Sequence, residues 1–382
     1  MKYLDEYRDA AVCERLLGKI RARASRRWTL MEVCGGQTHG LLRWGIDDEL
    51  AGIVELIHGP GCPVCVTPLE SIDHAIELAR RDDVVLTSFG DMLRVPGSAG
   101  SLQDARGVGA GVRIVYSPVD AVQLAARCPD KHIVFFAVGF ETTTPATALA
   151  VRQADELGLT NFSLLVSHVR VQPAMELLAA DEHCGVQGFL AAGHVCTVIG
   201  YEEFHAFARR FQLPVVVTGF EPVDLLAGIL ACVEQLESGR YTVDNQYSRS
   251  VRSVGNRDAI RLVDDVFEVC DRPWRGFGNV ERGGLALRPQ WRAFDAAVRF
   301  PRASLPVVEP PECRSGDVLA GRIKPPQCAA FGRSCTPDSP LGAPMVSSEG
   351  ACAAYYRYAN RRTSLDVTAG DDGVSNDVRA AT

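Results

Sequence analysis

The amino-acid sequence predicts an α/β fold, parallel sheets built from βαβ units and followed by an irregular, partly helical C-terminal region. Three observations lead there. Short β-branched apolar runs recur along the first 220 residues, helix-start chemistry stands between them, and beyond about residue 246 both give way to scattered Gly, Pro and Arg. Strands alternating with helices mean parallel sheets, and parallel sheets gather ligands at the carboxyl ends of their strands.

In chain order, strands are expected at 53–57, 84–87, 113–116, 133–138, 163–166, 187–190 and 215–218. Several are continuous and β-branched, as strands covered on both faces should be. Thr67-Pro68-Leu69-Glu70 reads as a capping box, the hydroxyl accepting a backbone N–H, the Glu reaching back, and Pro at a position where no donor is lost. Ser117-Pro118-Val119-Asp120 repeats that order and Thr144-Pro145 its first half. Val138-Gly139-Phe140-Glu141 and Thr218-Gly219-Phe220-Glu221 echo each other at two strand ends. Two related α/β domains would explain the echo, with a change of domain near Ser117; convergent strand-end chemistry explains it equally well. A helix is expected at 257–270 with little strand signal around it, and the Asp-, Gly- and Ala-rich stretch from about Thr363 reads as a disordered tail.

At 382 residues the chain suits two or three domains and buries ample apolar surface, so disulfides are not needed for stability. Its thirteen cysteines therefore need another reason. The opening Met1-Lys2-Tyr3-Leu4-Asp5-Glu6 lacks an apolar core, and no apolar run reaches the roughly 18 residues of a spanning helix. A cytoplasmic protein without a membrane partner is expected, where thiols stay reduced unless catalytic or metal-bound. A net charge of -7 with no sustained basic block argues against nucleic acid as partner. Arg249, Arg252 and Arg257 read as a solvated or interdomain face.

Chemistry concentrates in two early loops and one late segment. Cys34-Gly35-Gly36-Gln37-Thr38-His39 and Gly59-Pro60-Gly61-Cys62-Pro63-Val64-Cys65 place three sulfurs and an imidazole close together in sequence. Soft thiolates and imidazole hold iron, copper or zinc, and two thiols at the Cys62–Cys65 spacing can also close into a redox disulfide. The helix expected just after Cys65 would favour a thiolate there. Half of a zinc knuckle is the rival, but no second Cys-x2-Cys completes it. Cys34 precedes two glycines, which predicts an accessible sulfur on a flexible loop, with His39 as second ligand or proton donor. Cys313, Cys328, Cys335 and Cys352 read as a metal staple in a Gly/Pro-rich stretch, and spacing does not separate four-thiolate zinc from a 4Fe-4S cluster.

Cys13, Cys128, Cys184, Cys196, Cys232 and Cys270 read as packed small hydrophobes. Cys196 is the least secure of them, because Gly193-His194-Val195-Cys196 follows a strand end. Glu141 and Glu221 occupy equivalent strand ends, and Asp91 with Arg94 sits in the 90–97 loop; each lines a cleft or caps a helix.

With these residues assembled, the chain resembles the HypD family of hydrogenase maturation factors over nearly its whole length. The resemblance rests on 34–39, 59–65, Ser88-Phe89-Gly90-Asp91-Met92, Gly139-Phe140-Glu141-Thr142-Thr143, Gly193-His194-Val195 and the four late cysteines; the tail after about Tyr358 falls outside it. It implies two Rossmann-like α/β domains plus a third, irregular and helical, that carries a 4Fe-4S cluster on Cys313, Cys328, Cys335 and Cys352. Laid on this sequence, the first is expected at 43–118 with 219–240, the second at 119–218, and the third at 1–42 with 241–360, ahead of a tail at 361–382.

The resemblance also implies assembly of the Fe(CN)2CO group of NiFe hydrogenases with the partners HypC and cyanide-supplying HypE, the hydrogenase large subunit being served indirectly. That is a cofactor-assembly scaffold with redox activity rather than a turnover enzyme. Fe(II) carrying cyanide and carbon monoxide needs soft donors, so Cys34 is the expected iron ligand with His39 beside it, Cys62 and Cys65 the dithiol that delivers two electrons, and Glu141 a cleft residue. The cluster would recharge the disulfide one electron at a time, provided the fold leaves a path between them. Two other classes fit the same residues. A thiol-disulfide oxidoreductase of the ferredoxin-thioredoxin reductase type would use cluster and Cys-x2-Cys without iron at Cys34, and a zinc-stabilised binding module would be colourless and redox-silent.

Overall fold

The computed structural model describes residues 4–302 and 309–358. Two parallel sheets dominate it. The first has the order β2-β1-β7-β8-β9, from β1 (Trp28–Glu32), β2 (Val54–His58), β7 (Gly188–Ala192), β8 (Val215–Thr218) and β9 (Val243–Asn245). The second has the order β4-β3-β5-β6, from β3 (Val84–Ser88), β4 (Val112–Ile114), β5 (His132–Gly139) and β6 (Phe162–His168). Helices alternate with these strands, which is the expected α/β architecture. β5, β7 and β8 are buried along their whole length, which is why their sequences run apolar without alternation.

All seven strands expected from the sequence form, within a few residues. Sheet membership, however, cuts across the expected segments. β1, placed in 1–42, pairs with β2, placed in 43–118, while β3 of that same segment pairs with β5 of the next. The second sheet is thus an insertion between β2 and β7 of the first. Sequence shows which runs are strands; which neighbour each one pairs with is decided by crossovers that leave no local signal. The tail expected at 361–382 lies outside the described residues.

Three strands went unread. β9 is short, and β10 (Phe267–Trp274) and β11 (Gly278–Leu287) form an antiparallel hairpin where only helix was expected. The helix there ends at Val266 rather than Cys270. The hairpin exposes many of its residues, so its sequence is polar; Arg272 ties it to β6 by donating to the Val166 carbonyl (2.9 Å) and braces its two strands by donating to the Leu285 carbonyl (2.6 Å). The Ser117–Asp120 capping box forms as expected. The one at Thr67 does not: the helix starts at Leu69 behind Pro68, and Thr67 donates its hydroxyl to the Pro63 carbonyl (2.9 Å). Among the described residues, no helix is long and apolar enough to cross a membrane.

Candidate thiol and metal site

In the first sheet the chain runs from β1 outward to β2 on one side and from β7 outward through β8 to β9 on the other. The strand order therefore reverses between β1 and β7, and a crevice opens outside the carboxyl ends of such neighbours. Cys34 follows β1 and His194 follows β7. Cys34 Sγ lies 3.6 Å from His194 Nδ1, and the imidazole stacks on Phe220, which follows β8, at 5.2 Å between ring centroids.

Cys34 is not the loose residue its two glycines suggested. It is the N-cap of the helix Gly35–Arg43 and only 1% exposed. Its N–H donates to Glu32 Oε2 (2.8 Å), Thr38 donates its hydroxyl to the other Glu32 oxygen, and His58 Nδ1 stands 2.8 Å from that same oxygen. A fully buried carboxylate thus ties together β1, β2 and the helix behind Cys34. Burial pushes the Cys34 thiol well above its ordinary range, and burial lowers His194. The glycines serve close approach instead: a Cβ on Gly35 would meet Glu349, and one on Gly61 would stand 2.1 Å from the Cys34 nitrogen.

That contact brings the second loop against the first, with Gly35 N–H donating to the Gly61 carbonyl (3.0 Å). Cys62 and Cys65 are joined in a disulfide, their Cα atoms 5.3 Å apart, and are 2% and 0% exposed. Cys62 caps the four-residue helix Pro63–Val66 that carries Cys65, so of the thiolate and the disulfide that the spacing allows, the structure holds the disulfide, and it is buried. Cys34, Cys62, Cys65 and Phe140 share one apolar cluster.

His39 takes a different place from the one expected. Its Nε2 is 2.8 Å from the Tyr358 hydroxyl, and the imidazole against the Cys34 sulfur is that of His194. Asp91 faces the Ser347 hydroxyl (3.2 Å), whose oxygen in turn accepts the Glu349 N–H, so the 90–97 loop holds the segment running on to Cys352. Burial, then Asp91, raises the Glu349 carboxyl. Glu141 is both things it was read as: Oε1 accepts the Val171 N–H (3.0 Å), capping the helix Val171–Ala180, while the residue lines a cleft. Sequence reading missed Glu32, His58, Phe220 and Glu349. An acid inside the apolar run Trp28–Glu32 was a usable signal for the first; nothing local marks the others.

Cys313, Cys328, Cys335 and Cys352 converge, together lining one small cavity of about 20 Å³ with Val318, Met345 and other apolar groups. Burial first, then the neighbouring cysteines, raises the Cys335 and Cys352 thiols. Four thiols that would repel one another as anions fit a cationic metal group, and Gly342 leaves them room, since a Cβ there would stand 2.4 Å from Cys313 Sγ. Among the described residues no three His, Cys, Asp or Glu side chains are grouped closely enough to hold a single metal ion. The helix Pro63–Val66 packs directly on the turn Ala343–Met345 that lines this cavity.

Comparison with known proteins identifies the family. Residues 11–359 match the HypD family profile, described as a hydrogenase formation hypA family. The chain is 45% identical over 380 residues to the hydrogenase maturation factor HypD of Rhodobacter capsulatus, covering 95% of this chain and all of that one. The Azotobacter vinelandii HypD is 47% identical over 374 residues (96% and 99%), and the Escherichia coli K12 HypD 44% over 371 (95% and 100%). A match of that extent places this protein in the HypD family of hydrogenase maturation factors.

Proposed function

We propose that the chain serves as the scaffold on which the Fe(CN)2CO group is assembled, acting with HypC and receiving cyanide from HypE in the cytoplasm. The observation that carries this reading is the placing of Cys34, at the point where the strand order of the first sheet reverses, with the Cys62–Cys65 disulfide against its loop. Iron is the cargo. A soft thiolate suits low-spin Fe(II) with diatomic ligands, and the apolar cluster around Cys34 keeps water away from it. Loading requires the His194–Phe220 pair to move, since it covers the sulfur, and ligation displaces the thiol proton that burial otherwise retains.

Cyanide arriving as a thiocyanate leaves its carrier by two-electron cleavage of the S–C bond: the carrier sulfur takes a proton to become a thiol, and the carbon departs as cyanide. The Cys62–Cys65 pair in its dithiol form supplies the two electrons and two protons, closes to a disulfide, and one proton is left over. The four late cysteines fit a resident 4Fe-4S cluster, which when bound supplies electrons singly. Cys313, Cys328, Cys335 and Cys352 would hold it, and the contact between Pro63–Val66 and Ala343–Met345 supports a short route from that segment to the disulfide.

A thiol-disulfide oxidoreductase acting on a protein partner would use the same disulfide and cluster. The packing of Cys62 and Cys65 in one buried cluster with Cys34 favours the scaffold reading, because it serves chemistry at Cys34 and the oxidoreductase reading gives Cys34 no part. A zinc-stabilised module would be colourless, whereas an iron-sulfur protein purified without oxygen absorbs near ~400 nm. Infrared spectroscopy of the anaerobic complex with HypC tests the scaffold: carbonyl and cyanide stretches are expected on this protein's iron, and iron-containing material without them would overturn it.

A further inference from the structure

Away from Cys34, a cleft of about 330 Å³ opens beyond the carboxyl ends of β5 and β6. One wall is aliphatic, from Ile260 and Val263 of the helix Arg257–Val266 and from Val269 and Leu285 of the hairpin, with Val198 and Ile199 opposite. Its charged lining is Glu141, Glu202, Glu203, Asp264 and the single cation Arg170. Arg170 is already engaged, 3.4 Å from Glu203 and 3.2 Å from the Arg282 carbonyl. The lining therefore carries an excess of acid.

A second, independent feature belongs to a residue of this lining. Glu141 is 7% exposed, and although its Oε1 is satisfied by the Val171 N–H, its Oε2 is buried with no hydrogen-bond partner. A lone acceptor in that setting is costly unless a donor meets it. No three acids, histidines or cysteines among the described residues close on one point, so the cleft is not the tight oxygen cage that a bare metal ion requires. Acids spread along an apolar wall match a cationic nitrogen carried on a carbon stem, which buries its stem and presents its N–H groups.

We propose that this cleft binds an organic cation, a primary ammonium or guanidinium on an aliphatic stem, whose nitrogen donates to Glu141 Oε2. The site stands independently of iron handling at Cys34. Burial raises the Glu141 carboxyl to about 7, with Glu203 adding to the rise and the two backbone hydrogen bonds and Arg170 opposing it. Cys196, held in its neutral form by burial, faces Glu141 from the helix Gly193–Ile199, and Glu202 and Asp264 complete the charged surround. Binding a cation ionises Glu141, so below that value the ligand releases a proton as it binds.

Isothermal titration calorimetry on the full chain tests this with n-butylammonium and with a glycine-flanked lysine pentapeptide, each in two buffers of different protonation enthalpy. The expected result is saturable binding with proton release near pH 6, weakening about tenfold per pH unit below the Glu141 titration. Tighter binding of the peptide assigns the cation to a protein chain, and tighter binding of the amine to a free metabolite. Glu141→Gln keeps an acceptor for Val171 and should abolish the proton release while weakening binding; Val198→Phe should fill the cleft and abolish binding. Failure of both probes to saturate, or unchanged proton release in Glu141→Gln, overturns the proposal.

Discussion

Replacing Gly61 by Ala tests whether the two cysteine loops are locked together by backbone contact. The added Cβ would stand 2.1 Å from the Cys34 nitrogen, 2.4 Å from its Cα and 2.4 Å from the Val33 carbonyl carbon. All three are main-chain atoms, so no side chain can swing aside, and relief comes only by separating the loops. Separation breaks the Gly35 to Gly61 hydrogen bond. Overpacking of this kind costs about 1–3 kcal/mol and a lost buried hydrogen bond about 1 kcal/mol, together roughly 2–4 kcal/mol. If that energy is taken from local opening, alkylation of Cys34 by iodoacetamide in the native protein should accelerate by roughly 30-fold to several hundredfold. The assay is the labelling rate at Cys34, read by peptide mapping. Gly18→Ala is the control: its Cβ meets nothing within 4 Å on an exposed helix face, and it should stabilise by about 0.5–1 kcal/mol without changing Cys34 labelling. A Gly61→Ala protein whose Cys34 stays as protected as before would refute the reasoning.

Glu32→Ala strands the Cys34 N–H, the Thr38 hydroxyl and His58 around an empty buried site, which should destabilise by about 3 kcal/mol or more in urea titration. His132 and His168 are both held down to about 4 by burial, so stability is full above pH 6.5 and is lost as pH falls toward 4, where the unfolded chain binds protons the folded one refuses. The urea midpoint should fall across that window, and His168→Asn should flatten the fall. Glu141 has the opposite sign: its contribution is present below 4.5 and lost as pH rises through about 7, so Glu141→Gln should raise the midpoint near pH 8 and leave it unchanged near pH 4. Gly342→Ala drives a methyl group onto Cys313 Sγ and should lower the iron and labile sulfide content of anaerobic protein, checked by visible absorbance.

The strands were legible because those of a parallel sheet are apolar on both faces, and His132–Gly139 announces itself without context. The β10–β11 hairpin was not, because its strands expose many residues and Arg272 does by hydrogen bonding what an apolar side chain does elsewhere. Cys34 was found by residue type and misjudged in setting: Gly35 and Gly36 look like freedom in sequence, yet Gly35 lies against Glu349 and Gly36 against Phe220. His39 was favoured by nearness in sequence. His194, 160 residues away, reaches the sulfur because β7 lies beside β1. The four late cysteines were readable as a set, since nothing else explains thiols stitching a Gly/Pro-rich segment, and they do meet at one cavity.

The most direct measurement is the infrared spectrum of the anaerobic complex with HypC, taken for the unaltered protein, for Cys34→Ala and for Cys232→Ala, a buried cysteine of the helix Pro222–Glu237 that lies in a different apolar cluster from Cys34. Carbonyl and cyanide stretches should appear in the first and third and vanish in the second. Bands that persist without the Cys34 sulfur, or vanish equally in both variants, would contradict the assignment of Cys34 as the residue that holds the iron.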